Sequence, residues 1–419
     1  MPRIKLEVVL GLGFGDEGKG TLVDWLGRRA VGEGARALLV IRWNGGPQAQ
    51  HHVVTDDDRV HCFAQLGSAS FVPGARTHLA GDMAVDLYAL HAEIDALSAT
   101  TGIAAAAYRD LVTVDPRCPL VTPWHATVNL VRETLRGAGR HGSTGRGIGE
   151  AKLGPVRMAT GELSGNYDFL ARLREVRAAL LARARTAIER AEHAARDDIA
   201  HAHELIARAT TDAVLDAYLA AAREPITLSE HLPHADHVIF ESAQGALLDR
   251  DHGFFPHVTP SRITRRAVRD VARSLDIAGP LDVWGVLRAY QTRHGEGPLP
   301  TQDDTLARRL PELHNREDGA AGRFRVGWFD AVLARHAIAF AGPIDHLAVT
   351  CLDRVATLAD RSIVSRYHAP LADLERDIAA AVPIATRVDD VGDAISAALD
   401  RQIDVRSYGP RSRDKIALR

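Results

Sequence analysis

The segment that decides the fold is rich in glycine and runs Gly11-Leu12-Gly13-Phe14-Gly15-Asp16-Glu17-Gly18-Lys19-Gly20. An apolar run at residues 7–10 precedes it and predicts a short buried strand, and a helical pattern follows over about residues 19–29. Residues 37–42 predict a second strand. A strand, a loop, a helix and a second strand are the opening typical of an α/β fold with a mostly parallel sheet.

This loop fits two nucleotide-binding patterns, each imperfectly. Residues 13–19 have the Gly-x4-Gly-Lys spacing of a phosphate-binding loop, but Gly20 stands where that pattern has a Ser or Thr. Residues 13–18 match the G-x-G-x-x-G dinucleotide pattern, but the second strand ends in Arg42-Trp43 and lacks the acidic residue that the pattern requires. The dinucleotide interpretation, a nicotinamide-dependent oxidoreductase, is therefore the weaker one.

Both patterns predict phosphate binding, because glycines let backbone N–H groups converge and a helix N-terminus carries a partial positive charge. Lys19 would add a full positive charge. Asp16 needs its own explanation, since phosphate repels a carboxylate. A bound Mg²⁺ ion, or a role for Asp16 as a proton-abstracting base, would supply one.

Composition restricts the class of protein. The formal net charge of −3 gives no general attraction to nucleic acid or to an anionic membrane. No stretch of about 18 apolar residues occurs, so no transmembrane helix is expected. Cys62, Cys118 and Cys351 are far apart and odd in number, which fits neither a disulfide framework nor a zinc spacing and predicts a cytoplasmic location.

The organisation predicted is one elaborate domain over residues 1–419. A helical segment at about residues 167–223 is expected to pack outside the sheet, because it is dense in Ala, Arg, Glu and Leu at helical spacing. Further strands are predicted at residues 237–240, 283–287, 346–349 and 403–405. Polar or glycine-bearing segments follow them, and ligands bind at the carboxyl ends of such strands.

Several further motifs follow the loop along the chain. They are Ser143-Thr144-Gly145-Arg146-Gly147-Ile148-Gly149, Phe240-Glu241-Ser242-Ala243-Gln244-Gly245-Ala246-Leu247-Leu248-Asp249, Asp251-His252-Gly253, Val258-Thr259, Ala289-Tyr290-Gln291-Thr292-Arg293, Gly297-Pro298, Gly322-Arg323-Phe324-Arg325-Val326-Gly327-Trp328, Leu352-Asp353 and Ser407-Tyr408-Gly409-Pro410. With the run from Gly15 to Gly20, they resemble the adenylosuccinate synthetase family in order and spacing. That family joins IMP and aspartate at the expense of GTP.

The resemblance implies a GTP-dependent carbon–nitrogen ligase that uses Mg²⁺, acts on small nucleotides and amino acids, and forms a homodimer. It implies that Asp16 is the general base toward the N1 proton of a 6-oxopurine and a contact of Mg²⁺. Lys19 would hold the transferring phosphoryl group, His51 would be the general acid at the oxo oxygen, and Gln244 would complete the catalytic set.

The implied binding residues form three groups. GTP would contact Gly15, Glu17, Gly18, Lys19, Gly20, His52, Arg325, Asp353, Ser407, Gly409 and Pro410. The other substrates would contact Gln48, Thr144, Arg146, Arg157, Gln244, Leu248, Thr259, His294 and Arg323. Mg²⁺ would be held by Asp16 and by the backbone carbonyl of Gln50.

Departures from the family pattern cluster at these positions. Gln48, Gln50 and His52 replace an Asn, a Gly and a Thr, and His294 replaces a small apolar residue near the substrate ribose. Cys351 replaces a Lys that packs over guanine, Ala320-Ala321 replace two threonines, and a shortened segment leaves Arg157 only as a guess for the arginine that crosses the dimer interface.

Two alternatives to a housekeeping synthetase therefore stay open. One is a specialised paralogue with a different oxo substrate or amine. The other is a nucleotide-binding relative without catalysis, against which the presence of Asp16, Lys19 and His51 speaks.

Overall fold

The computed structural model describes residues 4–154, 156–158, 167–312, 322–369, 371 and 373–418. Its strands are β1 (Lys5–Gly11), β2 (Leu38–Arg42), β3 (His51–Val54), β4 (Val60–Phe63), β5 (Arg76–Leu79), β6 (Val112–Val114), β7 (Thr227–Leu228), β8 (His237–Gly245), β9 (Asp282–Arg288), β10 (Tyr290–His294), β11 (Phe324–Asp330), β12 (His346–Thr350), β13 (Ser362–Tyr367), β14 (Pro383–Arg387), β15 (Val405–Ser407) and β16 (Lys415–Ala417).

The α-helices lie between these strands. They are α1 (Lys19–Gly32), α2 (Leu87–Thr101), α3 (Ala105–Arg109), α4 (Pro123–Leu135), α5 (Ile148–Leu153), α6 (Tyr167–Glu189), α7 (Arg196–Ala209), α8 (Asp212–Arg223), α9 (Arg265–Ser274), α10 (Asp304–Arg309), α11 (Ala331–Ala341), α12 (Leu352–Ala356), α13 (Leu374–Asp377) and α14 (Val391–Leu399). None of the described helices is both long and apolar enough to cross a membrane.

A ten-stranded sheet organises the molecule, in the order β16-β15-β12-β9-β1-β8-β2-β5-β6-β7. Its ladders are parallel except at the β15–β16 edge. β1 lies between β8 and β9, with Val8 opposite Phe240 on one side and Val283 on the other. Helices and loops cover both faces of a parallel sheet, which explains why the apolar run of β1 is buried along its length.

The described residues also form two smaller sheets beside the central one. β10, β11, β13 and β14 form a four-stranded sheet, and β3 pairs with β4 as an antiparallel hairpin. β10 begins two residues after β9 ends, so the chain passes directly from the central sheet into the second one.

The predicted α/β architecture is confirmed. Strands appear where residues 237–240, 283–287 and 346–349 predicted them, and residues 167–223 form the helices α6, α7 and α8. The last predicted strand, residues 403–405, was wrong in its bounds, because the strand observed there is Val405–Ser407. Ile403 is buried but precedes the ladder with β12. The assignment of the chain to one domain stays a prediction.

Candidate active site

The glycine-rich loop leads from the carboxyl end of β1 into α1, at the edge of the sheet where open α/β folds bind ligands. Gly15, Asp16 and Gly18 have φ values of 103°, 59° and 83°. This left-handed backbone is natural for glycine, whereas a side chain makes it cost about 1 kcal/mol or more at Asp16. Such a turn before a helix N-terminus is the arrangement that binds phosphate.

Glu17 and Lys19 form a buried ion pair beneath this loop. Glu17 Oε1 accepts hydrogen bonds from the backbone N–H groups of Gly13 and Gly15, at 2.9 and 2.8 Å. Its other oxygen lies 2.5 Å from Lys19 Nζ. The structure therefore places the Glu17 carboxylate inside the loop, where it holds the loop backbone and the ammonium group together.

Gly20 has a steric explanation in the packing of α1 against β3. A Cβ atom built on Gly20 would lie 2.6 Å from the Cβ of His51 and 3.1 Å from Ser68 Oγ. Real Cβ atoms do not approach a carbon so closely, so neither Ser nor Thr fits at this position. The departure from the phosphate-loop pattern thus brings His51 against the first turn of α1.

His51 is buried and paired with Glu241, which lies in the middle of β8. His51 Nδ1 is 2.5 Å from Glu241 Oε1. Ser68 donates to the same carboxylate through its backbone N–H at 2.9 Å and through its hydroxyl group. Arg42 Nη1 lies 4.0 Å away. The imidazole is therefore fixed in orientation by a carboxylate that the sequence analysis did not assign, although Glu241 lies within a quoted motif.

Burial, and not the pairing with Glu241, keeps the His51 ring neutral in the free protein. Burial lowers the pKa of His51 from 6.5 to about 4, against the opposing effect of Glu241. Burial opposes ionisation of Glu241, but Arg42 and the contacts with His51 and Ser68 bring its pKa down to about 2. A neutral ring whose Nδ1–H binds Glu241 has an acceptor at Nε2, so donation from Nε2 requires the imidazolium form.

Asp16 is held by one residue of β9 and one residue of β10. Its carboxylate Oδ2 lies 3.0 Å from His294 Nε2, and its backbone carbonyl accepts a hydrogen bond of 3.1 Å from Arg288 Nη1. Arg288 is fixed in turn by Tyr290 and Glu312. The signal for Arg288 in the sequence was a basic residue directly after an apolar strand, and the sequence analysis missed it.

Asp16 is ionised in the free protein. Burial raises the pKa of the carboxyl group, but the hydrogen bond and charge of His294, with Arg288 and Lys19, outweigh burial and bring it to about 2. Mg²⁺ is commonly held by one or two carboxylates together with substrate phosphates and water. An ionised carboxylate at the mouth of a phosphate loop fits that ion, and Gln50 lies exposed just before β3.

Gln244 and Gln48 carry buried polar atoms that lack partners. Gln244, the penultimate residue of β8, has a positive φ of 59°, and its side-chain Oε1 and Nε2 are buried without a hydrogen bond among the described residues. Gln48 Oε1 is in the same state. A Cβ on Gly45 would lie 3.0 Å from Gln244 Nε2, and one on Gly46 would lie 3.0 Å from Gln48 Oε1. Two unsatisfied glutamine side chains beside the adjacent residues Gly45 and Gly46 indicate a place for a polar ligand.

A lysine that the sequence analysis missed lies at one end of this region. Lys152 Nζ donates to Ser261 Oγ at 3.1 Å, and the same hydroxyl accepts from the N–H of Gly45 at 3.3 Å. Burial lowers the pKa of Lys152. Thr144 and Arg146 lie exposed in the loop before α5, the helix that carries Lys152. The signal was a basic residue on the helix directly after that glycine-rich loop.

The segments after β12 and β15 lie side by side because these strands are parallel neighbours. Cys351 directly precedes α12 and has a φ of 58°, and Asp353 Oδ1 is buried without a partner among the described residues. Burial raises the pKa of Asp353. Ser407 donates to the carbonyl of Gly409 at 3.0 Å and holds the turn that continues to Pro410. Thr350 Oγ1 donates to the carbonyl of Glu17 at 2.7 Å, which ties this corner to the glycine-rich loop.

Arg325, predicted to contact GTP, lies on β11, and Arg323, predicted to contact the other substrates, lies just before it. Arg325 donates to Gly297 O at 2.8 Å and to Gln302 Oε1 at 3.2 Å, whereas Arg323 is exposed and pairs with Asp304. Arg293 is buried, and its guanidinium group donates to the carbonyls of residues 257, 296 and 298, so it braces the loops around the site. The predicted departure at Ala320-Ala321 lies outside the described residues.

Among the described residues, Arg157 and Leu248 hydrogen-bond to neither the glycine-rich loop nor Gln244. Arg157 Nη1 donates to the carbonyls of Gly154 and Val156, close to it in sequence. Leu248 ends a short 3-10 turn after β8, and its carbonyl accepts from the N–H of Thr259 at 2.8 Å. His52 is half-buried and pairs with Cys62 in the β3–β4 hairpin.

Comparison with known proteins gives a family for this architecture. The family model for adenylosuccinate synthetase matches residues 8–396. Adenylosuccinate synthetases from Neisseria gonorrhoeae and Saccharophagus degradans are 32% and 31% identical over 380 and 368 residues. The alignments cover 88% and 86% of this chain and 82% and 80% of those relatives.

Solved structures agree on the fold. The fully ligated adenylosuccinate synthetase of Plasmodium falciparum superposes with a TM-score of 0.74 at 20% identity, and the match covers 99% of this chain and 100% of that one. The cyanophage S-2L succinoaminodeoxyadenylate synthetase, bound to dGMP and to dATP as an energy donor, gives a TM-score of 0.56 at 18% identity over 99% and 96%.

The family model spans nearly the whole sequence, and the relatives exceed 30% identity over most of their own length. These matches do not favour the dinucleotide interpretation of the loop. The chain belongs to the adenylosuccinate synthetase family of GTP-dependent carbon–nitrogen ligases.

Proposed function

We propose that this chain uses GTP to phosphorylate the oxo group of a 6-oxopurine nucleotide such as IMP and then replaces the phosphate with the amine of aspartate or a related amino acid. The observation that carries the assignment of roles is the position of Asp16. The ionised Asp16 carboxylate contacts His294 and belongs to the same glycine-rich, anion-binding loop as Lys19.

The first step requires a base and an electrophilic phosphoryl group. Asp16 takes the N1 proton, and the electron pair of the N–H bond moves onto the oxo oxygen, which attacks the γ-phosphorus atom of GTP. The bond from that phosphorus to the bridging oxygen breaks, and GDP leaves with the electron pair. Lys19 and the backbone N–H groups of the loop stabilise the charge that develops on the phosphoryl oxygens.

His51 acts at the oxygen that receives the phosphoryl group. The negative charge of a bound nucleotide favours the imidazolium form, in which Nδ1–H binds Glu241 and Nε2–H is free to donate. In the second step the amine attacks C6, and phosphate leaves with the former oxo oxygen. A hydrogen bond from His51 to that leaving group makes its departure easier.

Mg²⁺ would be held by Asp16 and the backbone carbonyl of Gln50, and when bound it neutralises charge on the phosphates. Gln244 and Gln48 offer unsatisfied amides to the oxopurine nucleotide. Thr144, Arg146 and Thr259, with Lys152, would take its phosphate. Asp353 would accept hydrogen bonds from the N1–H and amino group of guanine. Arg323 would bind the carboxylate of the amino acid, and Arg325 would contact GTP.

A specialised substrate is the second candidate, and the contact between His294 and Asp16 favours it. Gln48, His294 and Cys351 all depart from the family pattern. Gln48 carries a buried amide oxygen without a described partner, His294 contacts Asp16, and Cys351 directly precedes the helix that carries Asp353. The oxo substrate or the amine donor then differs from IMP or aspartate, while the phosphoryl-transfer centre stays the same.

Assembly and location are also proposals. A homodimer is proposed from the family alone, with Arg157 as the guess for the residue that crosses the interface. The three cysteines are free thiols, which supports a reducing cytoplasm.

The decisive experiment measures phosphate release from GTP and Mg²⁺ with IMP, with and without aspartate, and with a panel of other amino acids and oxopurine nucleotides. Asp16→Asn is the matched control, because it keeps the size of the side chain and removes the base. Release that needs both IMP and aspartate, and that fails in Asp16→Asn, supports the synthetase.

Other outcomes separate the alternatives. Release with another amine or nucleotide supports the specialised substrate. GTP binding without release under any condition indicates a binding protein without catalysis, and it would refute the proposed activity.

A further inference from the structure

The contact between His294 and Asp16 joins residues that are 278 positions apart. His294 is the last residue of β10, and its side chain is 38% exposed toward the mouth of the loop. Its Nε2 lies 3.0 Å from Asp16 Oδ2, which is a hydrogen-bond distance to an acceptor with a full charge. The family resemblance implies a small apolar residue at position 294, and such a residue could donate no hydrogen bond to the base.

The imidazole ring is itself held in place. His294 lies opposite Phe324 in the β10–β11 ladder, and the two rings meet edge to face with centroids 4.8 Å apart. The backbone of β10 is fixed by antiparallel pairing from Tyr290 to His294. A ring in a paired strand, packed on a second ring, is a rigid donor, and rigid donors position a charged acceptor with less loss of entropy than a flexible one.

Asp16 needs such support because its own backbone is unusual. Its φ of 59° lies in the left-handed region, and its carbonyl is bound by Arg288. The carbonyl contact fixes the main chain but leaves rotation about the Cα–Cβ bond free. The hydrogen bond from His294 to Oδ2 restricts that rotation and leaves Oδ1 available to accept a proton.

We infer that His294 is a positioning residue of this chain, which holds the Asp16 carboxylate in the orientation that removes the ring proton. This inference rests on the proposed function of Asp16. A misdirected base costs turnover rather than binding, so the effect belongs in kcat.

The test compares His294→Gln, which keeps an N–H donor near the position of Nε2, with His294→Leu, which has similar size and no donor. Steady-state kinetics are measured with GTP and with the oxopurine and amine that the wild-type protein uses. We expect His294→Leu to lower kcat about 10- to 100-fold with both KM values nearly unchanged, and His294→Gln to recover most of the loss.

Equal losses in the two variants, or a change confined to KM, would overturn the inference. Crystal structures of the wild-type, Gln and Leu proteins without substrate give a readout that does not depend on turnover. The inference expects one Asp16 rotamer in the first two and a different or split rotamer in His294→Leu. An unchanged rotamer in His294→Leu refutes it.

The two readouts also separate this inference from the proposed function. If the wild-type protein turns over no oxopurine while the rotamer still depends on the donor at His294, the proposed function fails and the positioning role stands.

Discussion

His51 Nδ1 lies 2.5 Å from Glu241 Oε1, although the two residues are 190 positions apart and come from different sheets. The carboxylate is fully buried, and Ser68 and Arg42 bind it as well. A buried carboxylate in this position holds one tautomer of the ring and stabilises its protonated form. The proposed general acid, His51, therefore depends on Glu241 for its orientation and its charge.

The first prediction concerns that pair. Glu241→Gln keeps the shape of the side chain and removes its charge, so the imidazolium form of His51 loses its counter-ion. We expect kcat to fall about 100-fold with little change in the KM for GTP. Ser68→Ala is the control, since it removes one donor but leaves the charge of Glu241, and it should lose far less. Equal losses in the two variants would show that the charge is not what matters.

The second prediction follows from the contact of Gly20 with His51. Gly20→Ser restores the residue type of a standard phosphate loop, yet its Cβ would lie 2.6 Å from the Cβ of His51. We expect the variant to lose activity and about 1–3 kcal/mol of its free energy of unfolding, because the core must shift. Urea unfolding and phosphate release measure the two effects.

Gly32→Ala is the control for this substitution. Gly32 ends the same helix, and no atom lies within 4 Å of a Cβ built there. We expect no loss of activity and a change in stability below about 1 kcal/mol. Full activity of Gly20→Ser would contradict the steric explanation.

The fold could be predicted from the sequence where signals are local. The glycines and the apolar run at residues 7–10 suffice for the strand, loop and helix at the start, because a buried strand and a left-handed turn each need particular residue types. The second sheet was not predicted, since the pairing of β10 with β11 joins segments with no local mark of their partner. Ile403 misled the last strand assignment because it is apolar and buried without joining the ladder.

The sequence predicted which residues belong to the site but not which partners hold them in place. Asp16, Lys19 and His51 were named from motifs, but their partners come from distant strands. Glu241 and His294 reach them through the topology of the sheets, which periodicity and spacing do not reveal. Glu17 shows the same limit, because a loop carboxylate expected near GTP turns inward to Lys19.

The third prediction concerns selection of GTP. Asp353 Oδ1 is buried without a partner among the described residues, so it is available to the N1–H and amino group of guanine. Asp353→Asn replaces an acceptor by a donor at that place. We expect the KM for GTP to rise about 10- to 100-fold with kcat nearly unchanged. Asp360→Asn, on a surface pair with Arg309, is the control and should change neither value. Equal use of ATP and GTP by the wild-type protein would contradict the role of Asp353.

The fourth prediction concerns stability in acid. His78 is fully buried in β5, with Nδ1 2.9 Å from Thr113 Oγ1. Burial lowers its pKa from 6.5 to about 4. Between these pH values the unfolded chain binds a proton that the folded chain does not. The contribution of His78 to stability is therefore complete above about pH 6.5 and is lost progressively between about pH 6.5 and pH 4, by up to about 3 kcal/mol.

The measurement for His78 is the free energy of unfolding in urea at about pH 7 and about pH 5. The wild-type protein should lose about 2 kcal/mol through this group over that interval, and His78→Asn, which cannot titrate there, should lose that much less. His193→Asn removes an exposed histidine and should leave the pH dependence as it is. If the free energy of unfolding of His78→Asn changed with pH as steeply as that of the wild-type protein, the acid sensitivity would come from another group. A histidine that is neutral in the folded chain and protonated in the unfolded chain must make stability depend on pH.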